Sequence, residues 1–183
     1  MTYAYNGFGA APARSFSPLL AKLNDAWSKM DPKAPIIGKS LASLATALEA
    51  LYLLHQSAHW QTRGASYYGD HLMFQRLYKG IDKEIDSLGE RAVAMGSPLL
   101  VCPITTAHLS AKVLPLWGKG HSLDSPEKLV MLSLNAEKSV LEAVASAMAT
   151  ASPSDGVQNL LQGIADAHEG NIYLLQQRLA GAR

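Results

Sequence analysis

The sequence predicts an all-α protein: a bundle of four long helices with one long crossover that carries a possible short helix. Apolar residues recur at intervals of three and four along most of the chain after Pro35, which is the period of an amphipathic helix. Helix start and stop signals divide this region into four segments of roughly 23 to 29 residues. Ala and Leu are abundant and only 7% of the residues are aromatic, a composition that favours helix.

The composition also limits the class of protein. A chain of 183 residues, 48% hydrophobic and 17% charged, has the make-up of one globular domain with a well-buried core. Its net charge of +1 does not indicate a nucleic acid or a membrane as partner. The single cysteine, Cys102, excludes an internal disulfide and argues against a zinc or iron–sulfur site. The N-terminus lacks a basic start followed by an apolar segment, and no uninterrupted apolar run approaches the about 18 residues of a membrane span. We therefore expect a cytoplasmic protein.

The chain is predicted to divide into an N-terminal tail, residues 1–35, and a bundle, residues 36–183. The tail contains several glycines and prolines and no long periodic stretch, so it should be partly flexible, with one short helix near Pro18 to Trp27. The first helix of the bundle follows Pro35 and runs to about Gln61. Spacings of 3, 4, 3, 4 and 4 align one buried stripe on it: Leu41, Leu44, Leu48, Leu51, His55 and His59.

The second helix is predicted from about Tyr67 to Met95. Gly64 should end the preceding helix and Ser66 should cap this one. Prolines and glycines exclude one long helix between residues 99 and 124, although Thr105 to Val113 can form a short one. The buried stripe of the second helix comprises Leu77, Ile81, Ile85, Leu88, Ala92 and Met95.

The third and fourth helices have clear start signals. Ser125-Pro126-Glu127 supplies a cap, a proline at the first helical position and an acid in the first turn, and this helix should reach about Thr150. Ser152-Pro153-Ser154-Asp155 reads as a variant capping box for a helix that runs to about Leu179. Short connections make helices one and two, and three and four, antiparallel neighbours. The long middle stretch can cross the whole bundle, and one long crossover is the ferritin-like topology.

Two sets of polar residues could carry chemistry. His55 and His59 share one face of the first helix, and His71 follows just after the turn. The second helix carries an acidic ridge at four-residue intervals, Asp82, Asp86 and Glu90, whose like charges repel by roughly 0.2–0.5 kcal/mol per pair on an exposed helix. A divalent cation would turn this repulsion into coordination, because carboxylates and imidazoles together suit iron, manganese or zinc. The alternative is a solvated face, because Lys79 and Lys83 lie at spacings that could pair with parts of the ridge.

The spacing of these residues resembles the signature of the Dps family of miniferritins. The family pattern has a His-Trp near the end of the first helix, a glycine turn, a second His that opens the second helix, and a D-x-x-x-E-R run fifteen residues after that His. The closing helix also carries a His-Glu pair common in that family. The resemblance covers about residues 37 to 180. The matching residues are His59, Trp60, Gly64, His71, Asp86, Glu90, Arg91, His168 and Glu169.

This resemblance implies an iron-storing oxidoreductase of the ferroxidase type. Twelve identical subunits would form a hollow shell in which hydrogen peroxide or dioxygen oxidises ferrous iron and the ferric product mineralises, with no organic cofactor. The metal-binding and catalytic residues would be His59 and His71 of one subunit with Asp86 and Glu90 of its neighbour, beside Trp60. Whether His55 and His168 serve in buried hydrogen bonding or in an accessory metal role is open.

The sequence departs from the family pattern at one position. Four residues after the second His the family often has an acid, whereas this chain has Gln75. An amide oxygen is a weaker ligand than a carboxylate for a hard cation, so a second iron position in the centre is in doubt.

Two alternative functions were weighed against iron oxidation. A di-iron centre inside one bundle uses a Glu-x-x-His motif on each of two helices, and no glutamate of this chain is followed three residues later by histidine. The other alternative function is that of a DNA-compacting architectural protein with a weak or vestigial ferroxidase site. The segment up to Ser40 carries five basic residues against two acids, and a shell would multiply this surplus. The basic residues are Arg14, Lys22, Lys29, Lys33 and Lys39.

Overall fold

The computed structural model describes residues 17–118, 125–151 and 153–181, which form six α-helices and one 3₁₀ turn without any strand. The predicted all-α class is confirmed. The helices are α1 (Pro18–Met30), α2 (Ile36–Gln61), α3 (Tyr67–Met95), α4 (Pro103–Trp117), α5 (Pro126–Ala151) and α6 (Asp155–Ala180), with the 3₁₀ turn at Pro98–Val101 between α3 and α4.

Helix α2 is the centre of the bundle. It packs against α1, α3, α4 and α5, and Leu41, Leu44, Leu48 and Leu51 of its predicted stripe are fully buried. By length and composition alone α2 could cross a membrane, with a mean hydropathy of 1.3 over its most apolar window, but 72% of that window is buried inside the protein. This burial is what the central helix of a bundle requires, since neighbours cover it on every side.

The four long helices form two hairpins. Helices α2 and α3 are joined by a tight turn in which Gly64 has a φ of 81°, a conformation that glycine adopts without strain. Helices α5 and α6 pack against each other in the same way, and α2 contacts α5 across the bundle. The crossover between the hairpins contains the 3₁₀ turn and α4, which packs on α2. The single-crossover topology predicted from the loop lengths is confirmed.

The short helix predicted near Pro18 to Trp27 is present as α1. Ser17 caps it by accepting a hydrogen bond from the Leu20 amide at 3.4 Å. One face of the helix joins the main core through Leu19, Leu20, Leu23 and Trp27. The domain boundary at residue 35 stays a prediction, and residues 1–16 lie outside the described part of the chain.

Two sequence-based details of the helix ends differ from the structure. The crossover helix is longer than the predicted Thr105 to Val113. Pro103 occupies its first position, where a proline costs no helical hydrogen bond, and the helix continues past Pro115 to Trp117. The fourth bundle helix is capped at Ser154 rather than by a box from Ser152, and the Ser154 side chain makes no capping bond. Ser152 itself lies outside the described residues.

Candidate metal centre

The turn between α2 and α3 brings His59 and His71 together. Their rings stack with centroids 3.7 Å apart and an angle of 28° between the planes. His59 is 8% exposed and His71 is half-buried. Two residues that are twelve apart in sequence thus form one imidazole pair at the end of the hairpin.

Each imidazole of this pair is held by the main chain of the other residue. His59 Nδ1 lies 2.9 Å from the carbonyl oxygen of His71, and His71 Nδ1 lies 3.2 Å from the carbonyl oxygen of His59. Since a carbonyl oxygen only accepts, both Nδ1 atoms must carry the proton and donate. With the proton on Nδ1, Nε2 is the atom through which each ring can bind a metal ion, and a hydrogen bond behind the ligand atom fixes the orientation of the ring.

Aromatic side chains surround the imidazole pair. The ring of Tyr67 lies 5.3 Å from that of His71, and the ring of Tyr78 lies 5.4 Å from that of His59. Trp60 follows His59 directly and is 70% exposed, although it is a large aromatic residue. With Tyr67, Tyr68 and Leu72 it forms an apolar surface beside the pair, and a surface of this kind in a folded subunit indicates a contact face.

The two predicted carboxylate ligands lie at a different place on the subunit. Asp86 and Glu90 are exposed on α3 and line a cavity of about 750 Å³ between α2, α3 and the crossover. Glu49 of α2 lines the same cavity. Burial raises the pKa of the Glu49 carboxyl above its ordinary value, and a hydrogen bond from Ser110 partly opposes this.

The structure thus brings together His59 and His71, and separately Asp86 and Glu90, but not all four in one subunit. Fifteen residues of one continuous helix separate His71 from Asp86, which is about 22 Å along its axis. Within the described ranges, no three His, Cys, Asp or Glu side chains are already arranged to hold a metal ion. The four-residue centre therefore stays a prediction, and Gln75 lies one turn after His71 on the imidazole side.

An ion pair anchors the start of α3 next to the imidazole pair. Asp70 is 2% exposed and accepts two hydrogen bonds from Arg178 of α6, at 2.6 Å from Nε and 3.0 Å from Nη2. Glu127 at the start of α5 lies 3.5 Å from the same guanidinium. These contacts raise the pKa of Arg178, with the Asp70 hydrogen bonds as the main cause. They join three helix ends around the turn that carries His71.

A second polar cluster lies in the bundle interior, and sequence reasoning found only its histidines. His55 of α2, Glu137 of α5 and His168 of α6 are each 0% exposed, and Glu84 of α3 contacts His168. We call these four residues the interior cluster. The signal that could have revealed Glu137 is its place in the buried stripe of α5, where Val130, Ser133, Val140 and Val144 occupy the neighbouring positions.

Hydrogen bonds connect most of the interior cluster. His168 contacts a Glu137 carboxylate oxygen through Nδ1 and lies 3.2 Å from Glu84 Oε2 through Nε2. Asn171 donates to Glu137 Oε1 at 3.1 Å. Burial alone would lower the pKa of His168, but the hydrogen bonds and charges of the two glutamates outweigh it and raise that pKa to about 10. His168 is therefore a cation between two carboxylates at neutral pH.

His55 is the exception in the interior cluster. Its Nε2 lies 3.6 Å from Glu137 Oε1, too far for a hydrogen bond, and neither ring nitrogen has a hydrogen-bond partner among the described residues. Burial lowers the pKa of His55 to about 4, although the charge of Glu137 opposes this, and the nearby His168 lowers it further. His55 is therefore neutral, buried and unsatisfied.

Comparison with known proteins agrees with the fold. A family model described as the ferritin-like domain matches residues 39–183. The DNA protection during starvation protein 2 of Deinococcus radiodurans is 36% identical over 59 residues, which is 32% of this chain and 24% of that protein. The nutrient stress-induced DNA-binding protein of Nostoc sp. is 26% identical over 149 residues, 80% of this chain and 78% of that protein. The chain thus spans about a quarter of the first relative and more than three quarters of the second. The extent of the family match, the single-crossover bundle and these relatives show that the chain belongs to the ferritin-like family, as a Dps-type member.

Proposed function

We propose that this protein oxidises ferrous iron, with hydrogen peroxide or dioxygen as oxidant, and stores the ferric product inside a hollow homo-oligomer of twelve chains in the cytoplasm. The observation that carries the proposal is the pair of reciprocal hydrogen bonds between His59 and His71, in which the Nδ1 atom of each ring donates to the main-chain carbonyl of the other residue. This arrangement leaves the Nε2 lone pair of each ring available to bind a metal ion.

The proposed centre needs a partner subunit to supply the carboxylates. A twofold axis that places the imidazole pair of one chain against the cavity with Asp86 and Glu90 of the next makes two equivalent centres per pair of chains. The surfaces suit this pairing. The imidazole side presents Trp60 and Tyr68, which are 70% and 72% exposed, and small residues such as Ala42 and Ala45 line the cavity.

The chemistry follows from the ligand set. Ferrous iron is the substrate, and two neutral imidazoles with two carboxylates hold it while leaving positions for the oxidant. The carboxylates Asp86 and Glu90 stabilise the product, because a ferric ion carries one more positive charge than a ferrous ion. One hydrogen peroxide molecule takes one electron from each of two ferrous ions, takes up two protons and leaves as two water molecules. The protein supplies geometry and charge and contributes no electrons.

Mixing two inactive variants tests the split centre. One variant carries His59→Ala and His71→Ala, and the other carries Asp86→Asn and Glu90→Gln. A mixed pair of chains contains one centre with both defects and one intact centre. Random reassembly of equal amounts should therefore restore roughly a quarter of the wild-type rate of ferrous oxidation, since half of the pairs are mixed and half of their centres are intact.

Each variant assembled alone should be inactive and should elute as the same closed oligomer as the wild type, which light scattering measures. If the variants folded and mixed but the reassembled mixture stayed inactive, the four residues would not form a metal centre across a subunit interface. A wild-type monomer that oxidises iron would contradict the proposal directly.

DNA compaction is the second candidate, because the names of both relatives refer to DNA. In this chain the basic residues of the N-terminal segment are not all available. Lys39 is 8% exposed and donates to the Pro32 carbonyl, and Lys29 pairs with Asp25 at 2.8 Å. Lys22 and Lys33 are exposed, and Arg14 lies outside the described residues. Binding of duplex DNA that falls steeply with salt in a mobility-shift assay would support this role, and no binding at low salt would exclude it.

A further inference from the structure

We propose that the interior cluster is a second metal site, which binds one divalent transition-metal ion inside each subunit. Its ligands would be His55 Nε2, His168 Nδ1 and the carboxylate of Glu137. Glu84 would accept the Nε2 proton of His168 and orient that ring. The site lies inside one chain and does not depend on the proposed interface centre.

The first argument is the burial of an unsatisfied ligand. His55 is 0% exposed, and neither of its nitrogens has a hydrogen-bond partner among the described residues. A buried polar group without a partner destabilises a protein, so such groups are rare and usually mark a missing ion or water. The Nε2 atom of His55 faces a buried carboxylate oxygen at 3.6 Å, which is too long for a hydrogen bond and leaves space for an ion to draw both groups inward.

The second argument is the convergence of two imidazoles on one carboxylate group. The two oxygens of Glu137 face different imidazoles, since Oε1 faces His55 and Oε2 contacts His168 Nδ1. Two imidazole nitrogens and a carboxylate are a donor set that suits divalent iron, zinc or cobalt. In this structure His168 and Glu137 are hydrogen-bonded to each other, and within the described ranges the three side chains do not yet surround a common point. The ion must replace the proton between His168 and Glu137.

The third argument is the surrounding hydrogen bonding. His168 Nε2 lies 3.2 Å from Glu84 Oε2, so this carboxylate can hold the Nε2 proton and leave Nδ1 as the ligand atom. Asn171 donates to Glu137 Oε1 at 3.1 Å and restrains the carboxylate. A carboxylate behind a metal-binding histidine raises its basicity and fixes its orientation.

Cobalt binding to a variant with a disabled interface centre tests the proposal. In a variant that combines His59→Ala and His71→Ala with Asp86→Asn and Glu90→Gln, titration with Co²⁺ alone should show one ion bound per chain by calorimetry and a visible absorption of nitrogen- and oxygen-bound cobalt. Adding His55→Leu should abolish this binding, and adding Glu84→Gln should weaken it by about 10- to 100-fold. His108→Leu replaces an exposed histidine outside both sites and should leave it unchanged.

Diffraction from the unmodified protein keeps the test independent of whether the core variants fold. Crystals soaked in Zn²⁺ should show an anomalous peak between His55, Glu137 and His168 in every subunit. No peak there at saturating zinc, or no Co²⁺ bound by the variant that lacks all four interface ligands, would overturn the proposal. Both results can be read whether or not the interface centre oxidises iron, so the two proposals can fail separately.

Discussion

Arg178 holds the Asp70 carboxylate with two hydrogen bonds, at 2.6 and 3.0 Å, one residue before the candidate ligand His71. The pair joins the last turn of α6 to the first turn of α3. Asp70 is almost fully buried, and its two oxygens face the two nitrogens of a planar guanidinium. The position of the imidazole pair therefore depends on a contact between residues 108 apart in sequence.

Arg178→Met should destabilise the protein by about 2–4 kcal/mol, because it leaves the buried Asp70 carboxylate without its partner. The measurement is chemical denaturation of the assembled protein at fixed concentration. Lys29→Met is the matched control. It breaks the Lys29–Asp25 pair, whose side chains are 76% and 68% exposed, and an exposed pair of this kind contributes at most about 0.5 kcal/mol. Equal losses in the two variants would contradict this account.

Asp86→Asn with Glu90→Gln should abolish fast iron oxidation and leave the fold intact or slightly more stable. The variant removes two ligand charges and relieves the repulsion between carboxylates one helical turn apart, which is roughly 0.2–0.5 kcal/mol. Stopped-flow oxidation of ferrous iron measures the first effect and thermal unfolding the second. Asp82→Asn is the control, since Asp82 lies on the same ridge and is exposed but does not line the cavity. Wild-type oxidation by the double variant would show that the proposed centre is wrong.

Gln75→Glu should raise the occupancy of a second metal position in the interface centre. A carboxylate binds a divalent ion through a full negative charge, whereas an amide offers only a dipole. The wild type should therefore bind one ion tightly per centre, and the variant should bind two and react faster with hydrogen peroxide, which takes two electrons. Anomalous diffraction at the two positions measures this. Two equally occupied metal positions in the wild type, unchanged in the variant, would show that Gln75 does not weaken metal binding at the second position.

Acid should destabilise the metal-free protein partly through His55. Burial lowers the pKa of His55 to about 4 in the folded state, whereas its value in an unfolded chain is 6.5. As the pH falls from 6.5 to 4, the unfolded chain gains a proton that the folded protein does not bind, and stability is lost. The loss from this group is at most about 3.5 kcal/mol, at about 1.4 kcal/mol for each pH unit.

His168 changes the stability of the protein at alkaline pH rather than at acid pH. Its folded pKa is raised to about 10, so its contribution is complete below 6.5 and disappears as the pH rises to 10. Chemical denaturation of chelator-treated His55→Leu at about pH 7 and about pH 4.5 separates the two groups. The variant should lose clearly less stability on acidification than the wild type. An identical loss in both proteins would mean that another group controls the acid response.

The order and type of the long helices could be predicted from the sequence alone. The three-four spacing after Pro35 and the proline at position 126 are local signals, and α2 and α5 begin where those signals stand. The stripe from Leu41 to Leu51 is buried as its period predicts. Periodicity determines which face of a helix must be covered, and one long connection determines how two hairpins can be joined. The fold class and the pairing of His59 with His71 across a tight turn therefore follow from residues close in sequence.

Tertiary structure decided what lies opposite each buried face. The sequence shows that His55 is on an apolar stripe, but not that Glu84, Glu137 and His168 of three other helices meet it in the core. It shows an acid beside His71, but not that Arg178 of the last helix holds it. Which side chains from distant helices meet depends on the rotation and offset of each helix within the bundle. Those quantities are set by packing against all the neighbours at once, and no local pattern in the chain records them.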